Sequence, residues 1–196
     1  LRTTDGGRTW QMSRSADVPA ALAREGGFAA SGTCVALGPG GRAWIGTGAA
    51  DTARVLMSTD DGRSWTAVRP PIAGGEAAGI FTIAFRDSVH GAILGGDLGR
   101  PEEHTDNVAV TDDGGRSWQL AGRPVLAGPV YGAAYVPGAP TPTLVAVGPL
   151  GVDWSPDEGR SWAVAESAGY WGVGFSGSGV GWLVGPDGRI SRISFE

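Results

Sequence analysis

The chain has 196 residues, with 20 acidic and 15 basic side chains and a net charge of −5. That balance argues against a nucleic-acid partner, which needs a basic surface. One cysteine, Cys34, excludes an intrachain disulfide, and no stretch is long or apolar enough to cross a membrane as a helix.

Leu1 to about Ser13 reads as a half-unit: the end of one strand, the octet Thr3-Thr4-Asp5-Gly6-Gly7-Arg8-Thr9-Trp10, and the strand after it. Residues 14–27 form a connection whose Ala-rich middle suits a short helical turn. The next unit holds predicted strands at 33–37, 43–46, 55–58 and 65–68, and the octet Ser58-Thr59-Asp60-Asp61-Gly62-Arg63-Ser64-Trp65 joins the last two. Cys34 falls in the first of these strands and reads as a small buried filler. A third unit repeats the order at 80–85, 92–95, 108–111 and 118–121. It carries a long polar loop at 96–107 and the octet Thr111-Asp112-Asp113-Gly114-Gly115-Arg116-Ser117-Trp118. A fourth follows at 131–136, 144–147, 154–155 and 162–164, with a short loop at 148–153 and the octet Ser155-Pro156-Asp157-Glu158-Gly159-Arg160-Ser161-Trp162. Three last strands, at 171–176, 181–184 and 189–193, have no octet after them.

The shared pattern is Ser/Thr-x-Asp-x-Gly-Arg-Ser/Thr-Trp, with its aspartates 55, 53 and 44 residues apart. Such a period marks a repeat architecture with one supersecondary unit per repeat. The chemistry is that of a tight hairpin turn. The Asp accepts hydrogen bonds from backbone N–H groups ahead of it. The Gly supplies a positive φ, and the Trp opens the next strand and buries apolar area. Four antiparallel strands per repeat predict an all-β chain, a β-propeller built of four-stranded blades. The expected blades span about 1–13 (partial), 28–68, 78–121, 129–165 and 170–196 (partial), in one propeller domain over 1–196. Two readings follow: the C-terminal part of a six- to seven-bladed ring, which the abrupt start favours, or a self-closed ring of four blades.

The octet resembles the Asp-box, or BNR repeat, of sialidases, sortilin-type domains, xyloglucanases and photosystem II stability/assembly factor-like propellers. Leu144–Gly151 and Trp182-Leu183-Val184-Gly185-Pro186-Asp187-Gly188-Arg189-Ile190 are similar to the blade motif of the last family, many of whose bacterial members are not photosynthetic. The resemblance implies structural roles for Asp5, Trp10, Asp60, Trp65, Asp113, Trp118, Asp157 and Trp162. It also implies an extracytoplasmic, periplasmic or secreted setting, although no export signal is visible. The true N-terminus is expected to precede Leu1.

Blade geometry places the octet turns and the turns between first and second strands on one face. The starts of the first strands and the loops between second and third strands lie on the other, the usual ligand face. Aligned first strands put Ser31, Phe81, Tyr131 and Trp171 at that rim, where the aromatics suit a peptide, a sugar or a flat ligand. The competing expectation is packing between blades. The 96–107 loop adds Asp97, Arg100, His104 and Asp106, and equivalent loops add Asp51 and Asp153. Three carboxylates from three blades could meet a sugar or a cation; ordinary solvated loop charges are the plainer expectation. No residues show metal-ligand spacing, no Gly-rich turn opens a helix to hold a nucleotide, and no cofactor is expected. Arg86, Asp87 and His90 fall on the octet face and are not nominated as a catalytic set.

The expected function is a non-catalytic scaffold that binds a protein or peptide, as the assembly-factor resemblance implies. A sialidase- or xyloglucanase-type glycoside hydrolase acting on carbohydrate is the alternative. It needs two carboxylates facing one bond; Asp51, Asp97 and Asp153 could serve, and blades outside this sequence could also supply them. A structural surface repeat is the third reading.

Overall fold

The computed structural model describes residues 1–28, 32–177 and 179–195. After a 3-10 turn at Ser15–Asp17 come strands β1 (Val35–Gly38), β2 (Arg42–Gly46), β3 (Val55–Ser58) and β4 (Thr66–Val68). Next are β5 (Ala78–Phe85), β6 (Gly91–Asp97), β7 (Val108–Thr111) and β8 (Gln119–Leu120). Then follow β9 (Gly132–Tyr135), β10 (Leu144–Gly148), β11 (Gly151–Ser155) and β12 (Ala163–Glu166), and last β13 (Gly172–Phe175), β14 (Val180–Val184) and β15 (Ile190–Ser194). They form three four-stranded sheets and one three-stranded sheet, each antiparallel and in sequence order. Among the described residues no helix is long and apolar enough to cross a membrane.

Each sheet packs face-on against the next, because both faces of its strands are apolar and period-two alternation sends successive side chains to opposite neighbours. Trp44, Val55, Ile80, Ile83 and Ile93 fill the first interface. Leu94, Val108, Ala133 and Leu144 fill the second, and Val145, Val152, Tyr170 and Leu183 the third. Trp44 is fully buried and stacks on Phe85 with ring centroids 3.7 Å apart. Gly91 lies beneath the Phe85 ring, where a Cβ would sit 2.7 Å from it, so this strand position excludes any side chain.

Three sequence expectations change. The predicted loop 148–153 is a two-residue turn, because Gly148 pairs with Gly151 and β11 starts there. Asp153 is therefore a strand residue. β6 runs on through Asp97, paired with Ala78, so the polar loop begins at Leu98. The helical turn falls at Ser15–Asp17, ahead of the Ala-rich stretch. At the chain ends, Arg2 and Gln11 bond each other through both backbone groups at 2.8 Å, and β15 pairs with β14 alone among the described residues.

Candidate functional site

Backbone contacts sort the turns into two faces. Asp61 N donates to Gly41 O at 2.9 Å, Gly114 N to Val89 O at 2.8 Å and Glu158 N to Pro142 O at 3.2 Å. The octets at 58–65, 111–118 and 155–162 thus each rest on the first hairpin turn of their own sheet. On the opposite face, each loop between second and third strands meets the segment leading into the next sheet. Ala49 N bonds Ala78 O at 3.0 Å, Gly128 N bonds Glu103 O at 3.0 Å, and Tyr170 N bonds Gly148 O at 2.9 Å.

The octet aspartates are saturated by their own turns. Asp60 Oδ1 accepts from Arg63 N and Ser64 N at 2.9 Å, and Oδ2 accepts from Ser64 Oγ at 2.6 Å. Ser58 Oγ donates to Asp60 and accepts from Gly62 N. Asp5, Asp113 and Asp157 repeat the set through Thr9, Ser117 and Ser161. The Thr9 hydroxyl and N–H hold Asp5 at about 2. Burial works to raise Asp113, but the Ser117 hydroxyl and N–H outweigh it and hold it at about 2. The tryptophans differ in burial: Trp118 is buried, Trp65 and Trp162 half-buried and Trp10 exposed. The residue after each Asp lies in the left-handed region, with φ 60 at Asp61 and φ 64 at Glu158; Gly6 and Gly114 occupy it elsewhere.

The octet face also carries an ion network. Arg86 Nε lies 2.6 Å from Glu158 Oε1 and its Nη1 2.9 Å from Asp87, which in turn holds His90 Nδ1 at 2.8 Å. The Tyr135 hydroxyl reaches Glu158 at 3.4 Å, and burial, with the Glu158 charge, pushes it far up. These groups join two sheets.

On the loop face the rim aromatics separate. Phe81 is 2% exposed, 4.3 Å from Phe28 and 6.5 Å from Tyr131 between ring centroids. It is the extra residue of a bulge, since Ile80 pairs with Gly95 and Thr82 with Leu94. Packing, not rim display, describes Phe81. Tyr131 is half-buried, and Trp171 is 54% exposed. Ser31 lies outside the described residues.

The loop charges are used locally. Asp97 Oδ1 caps Gly99 N at 2.8 Å and lies beside Arg100, which also bonds Glu103 at 3.3 Å. Asp106 pairs with Arg123 at 2.7 Å, and His104 is exposed. Asp51 is surface-exposed, 3.7 Å from Arg24. Asp153 is buried: Oδ2 accepts from Leu126 N at 2.9 Å, while Oδ1 has no partner. Burial raises its pKa, and the Leu126 and Val125 N–H groups oppose the rise. Among the described residues no three His, Cys, Asp or Glu side chains are grouped to hold a metal ion. Asp51, Asp97 and Asp153 thus sit in three unlike settings: on the surface near Arg24, capping Gly99 N, and buried against Leu126 N.

Two contacts were not anticipated from the sequence. Arg54 holds Glu25 through Nε at 2.7 Å and Nη2 at 2.5 Å, with side chains 8% and 5% exposed, and Thr47 Oγ1 adds a bond at 2.8 Å. The Arg189 guanidinium lies 5.6 Å over the Tyr170 ring. Neither pair is close enough in sequence to leave a local signal.

Sequential antiparallel sheets, each packed on the next with hairpin turns on one face and connecting loops on the other, define a β-propeller. Solved structures agree. A structure of YCF48 bound to D1 peptide is similar at 19% identity and a TM-score of 0.50, over 78% of this chain and 45% of that one. An ancestral GH74 enzyme is similar at 18% identity and 0.53, over 81% and 22%. The GH74 enzyme of Niastella koreensis is similar at 18% and 0.52, over 78% and 23%. The chain therefore spans less than half the length of each, and at these identities the likeness is one of fold. No protein-family model and no curated protein matches the chain.

Proposed function

We propose that the chain is a non-catalytic propeller scaffold that binds a protein or peptide on its loop face, in an assembly or stability role. The observation that carries this reading is a contrast on that face. Trp171 stands 54% exposed, while the carboxylates a glycosidase would need are capped, surface-bound or buried. An exposed aromatic over a rigid sheet supplies contact area at low entropic cost. The solved YCF48 structure holds a D1 peptide, which supports peptide capture by this fold. The GH74 neighbours support the hydrolase alternative on fold alone.

Fluorescence titration of Trp171 with a panel of short peptides tests the reading, with Trp171→Ala as the control. Saturable quenching that the variant loses is the expected result. Reducing ends released from xyloglucan by the wild type, and lost in Asp97→Asn, would replace this reading with the hydrolase one.

A further inference from the structure

The first hairpin turns of the four-stranded sheets differ in length. Residues 39–41 join β1 to β2 and 86–90 join β5 to β6, whereas 136–143 separate β9 from β10. The longer turn is closed at its base by Val136 N, which donates to Thr143 O at 2.9 Å, and it carries Pro137, Pro140 and Pro142. Proline fixes φ and narrows the freedom of the unfolded chain, so this arch is rigid before anything touches it. The sheet itself does not need the extra residues, since its two neighbours close the same hairpin with fewer. Added loop length on a rigid scaffold is where binding residues collect.

The arch walls a cavity of about 490 Å³ against the end of β5, where Phe85, Arg86 and Tyr135 line it together with the three prolines. Both walls are internal to the chain. They belong to the second and third sheets, each of which packs on a sheet to either side. The volume is that of a small-molecule site, and the lining is apolar with one cation at its edge. Arg86 gives Nε to Glu158 and Nη1 to Asp87, which leaves Nη2 without a hydrogen-bond partner among the described residues. One guanidinium between two carboxylates offers a donor but no surplus positive charge, and even with His90 protonated the four groups sum to no net charge. An anionic ligand would therefore meet Glu158 and Asp87 unfavourably. Burial keeps the Tyr135 phenol protonated, and proline rings pair well with aromatic faces.

We propose that this cavity binds an uncharged aromatic ring bearing a carbonyl group, with the ring between Tyr135 and the proline arch and the carbonyl oxygen accepting from Arg86 Nη2. The prolines and the ion network hold both walls in place, which lowers the entropic cost of seating a flat ligand. The site lies on the octet face, opposite the loop face, and does not depend on peptide capture there.

Saturation-transfer NMR with benzamide, benzoate and cyclohexanecarboxamide tests the proposal. Benzamide carries the ring and the carbonyl without charge, benzoate adds the charge, and cyclohexanecarboxamide removes the flat ring. Benzamide should bind at least about tenfold more tightly than either of the others. It should also shift the backbone amide resonances of Gly138, Ala139, Thr141 and Thr143. Arg86→Lys keeps the charge and loses the second donor, and Pro140→Ala changes an exposed position of the turn. Each should weaken benzamide about threefold or more, with the thermal melt showing an intact fold. Trp171→Ala should leave benzamide binding unchanged, which separates this site from the peptide one. Equal binding of benzoate or cyclohexanecarboxamide, shifts that spare 136–143, no saturable transfer from benzamide, indifference to Arg86→Lys, or a loss in Trp171→Ala would overturn it.

Discussion

Arg86 Nε lies 2.6 Å from Glu158 Oε1, so the first turn of the second sheet is tied to the octet of the third. Glu158 holds this contact from a left-handed backbone at φ 64, whereas Asp61 adopts φ 60 with Arg63 3.8 Å from its exposed carboxylate. Glycine at either site relieves left-handed strain and adds freedom to the unfolded chain, two small effects of opposite sign. Asp61→Gly should then change stability by less than about 0.5 kcal/mol. Glu158→Gly also strips a buried partner from Arg86 and Tyr135 and should cost about 1–3 kcal/mol. Urea unfolding of the two variants side by side measures the difference.

The aspartates carry opposite pH dependences. In the octets, the Ser64 hydroxyl lowers Asp60 most, and Asp5 and Asp113 are held at about 2. A carboxylate whose folded pKa is depressed stabilises the fold above its unfolded value, near about 4, and that contribution is lost as pH falls through the folded value. Melting temperature should therefore drop steeply between about pH 4 and pH 2. In Asp113→Asn the drop should be shallower from an already lower plateau. Equal slopes in wild type and variant would contradict the assignment.

Asp153 works the other way. Its pKa is raised by burial, so the protonated form favours folding, and this contribution is lost as pH rises through the folded pKa. Asp153→Asn keeps an acceptor for Leu126 N and removes the buried charge. The variant should melt higher than wild type at pH 7, by roughly 2–4 °C for each kcal/mol recovered in a chain of this size. The gain should vanish near pH 4, and a gain independent of pH would show that the charge is not its cause.

Phe81 and Trp171 share an aligned position in their first strands but should respond differently. Phe81 is packed on Phe28 at 2% exposure, so Phe81→Ala should cost about 3–5 kcal/mol. Trp171→Ala removes a side chain that is 54% exposed and should leave the melt nearly unchanged while lowering peptide affinity tenfold or more, the cost of about 1.4 kcal/mol. Calorimetric melts paired with peptide titrations separate the two effects.

These cases show where the sequence was readable. The octets fixed the hairpins closely: Val55–Ser58 and Val108–Thr111 are strands at their expected limits, because Asp, Gly and Ser/Thr act on neighbours within four residues. The faces followed from the same turns. What stayed hidden depends on distant partners. The bulge that turns Phe81 inward is set by pairing with β6. The burial of Asp153 depends on Leu126.

Glu25 and Arg54 illustrate the same limit and provide the most severe test of the 14–27 connection. The pair is bidentate at 2.7 and 2.5 Å, nearly sealed from solvent, and Arg54 also donates to Ala20 O at 3.0 Å. Burial works to raise Glu25, but Arg54 and the Leu22 N–H outweigh it and lower its pKa. Losing one member leaves the other charge buried without a partner, which costs about 3–5 kcal/mol. Glu25→Ala should therefore be strongly destabilising. Because the pair anchors the connection and not the sheet interfaces, the loss should appear first as cleavage within 14–27 under limited proteolysis, at temperatures where the sheets stay folded. Glu25→Ala paired with Arg54→Met removes both charges and should recover much of the stability. If the double variant is no better than the single one, packing of the Arg54 stem rather than its charge holds the connection in place.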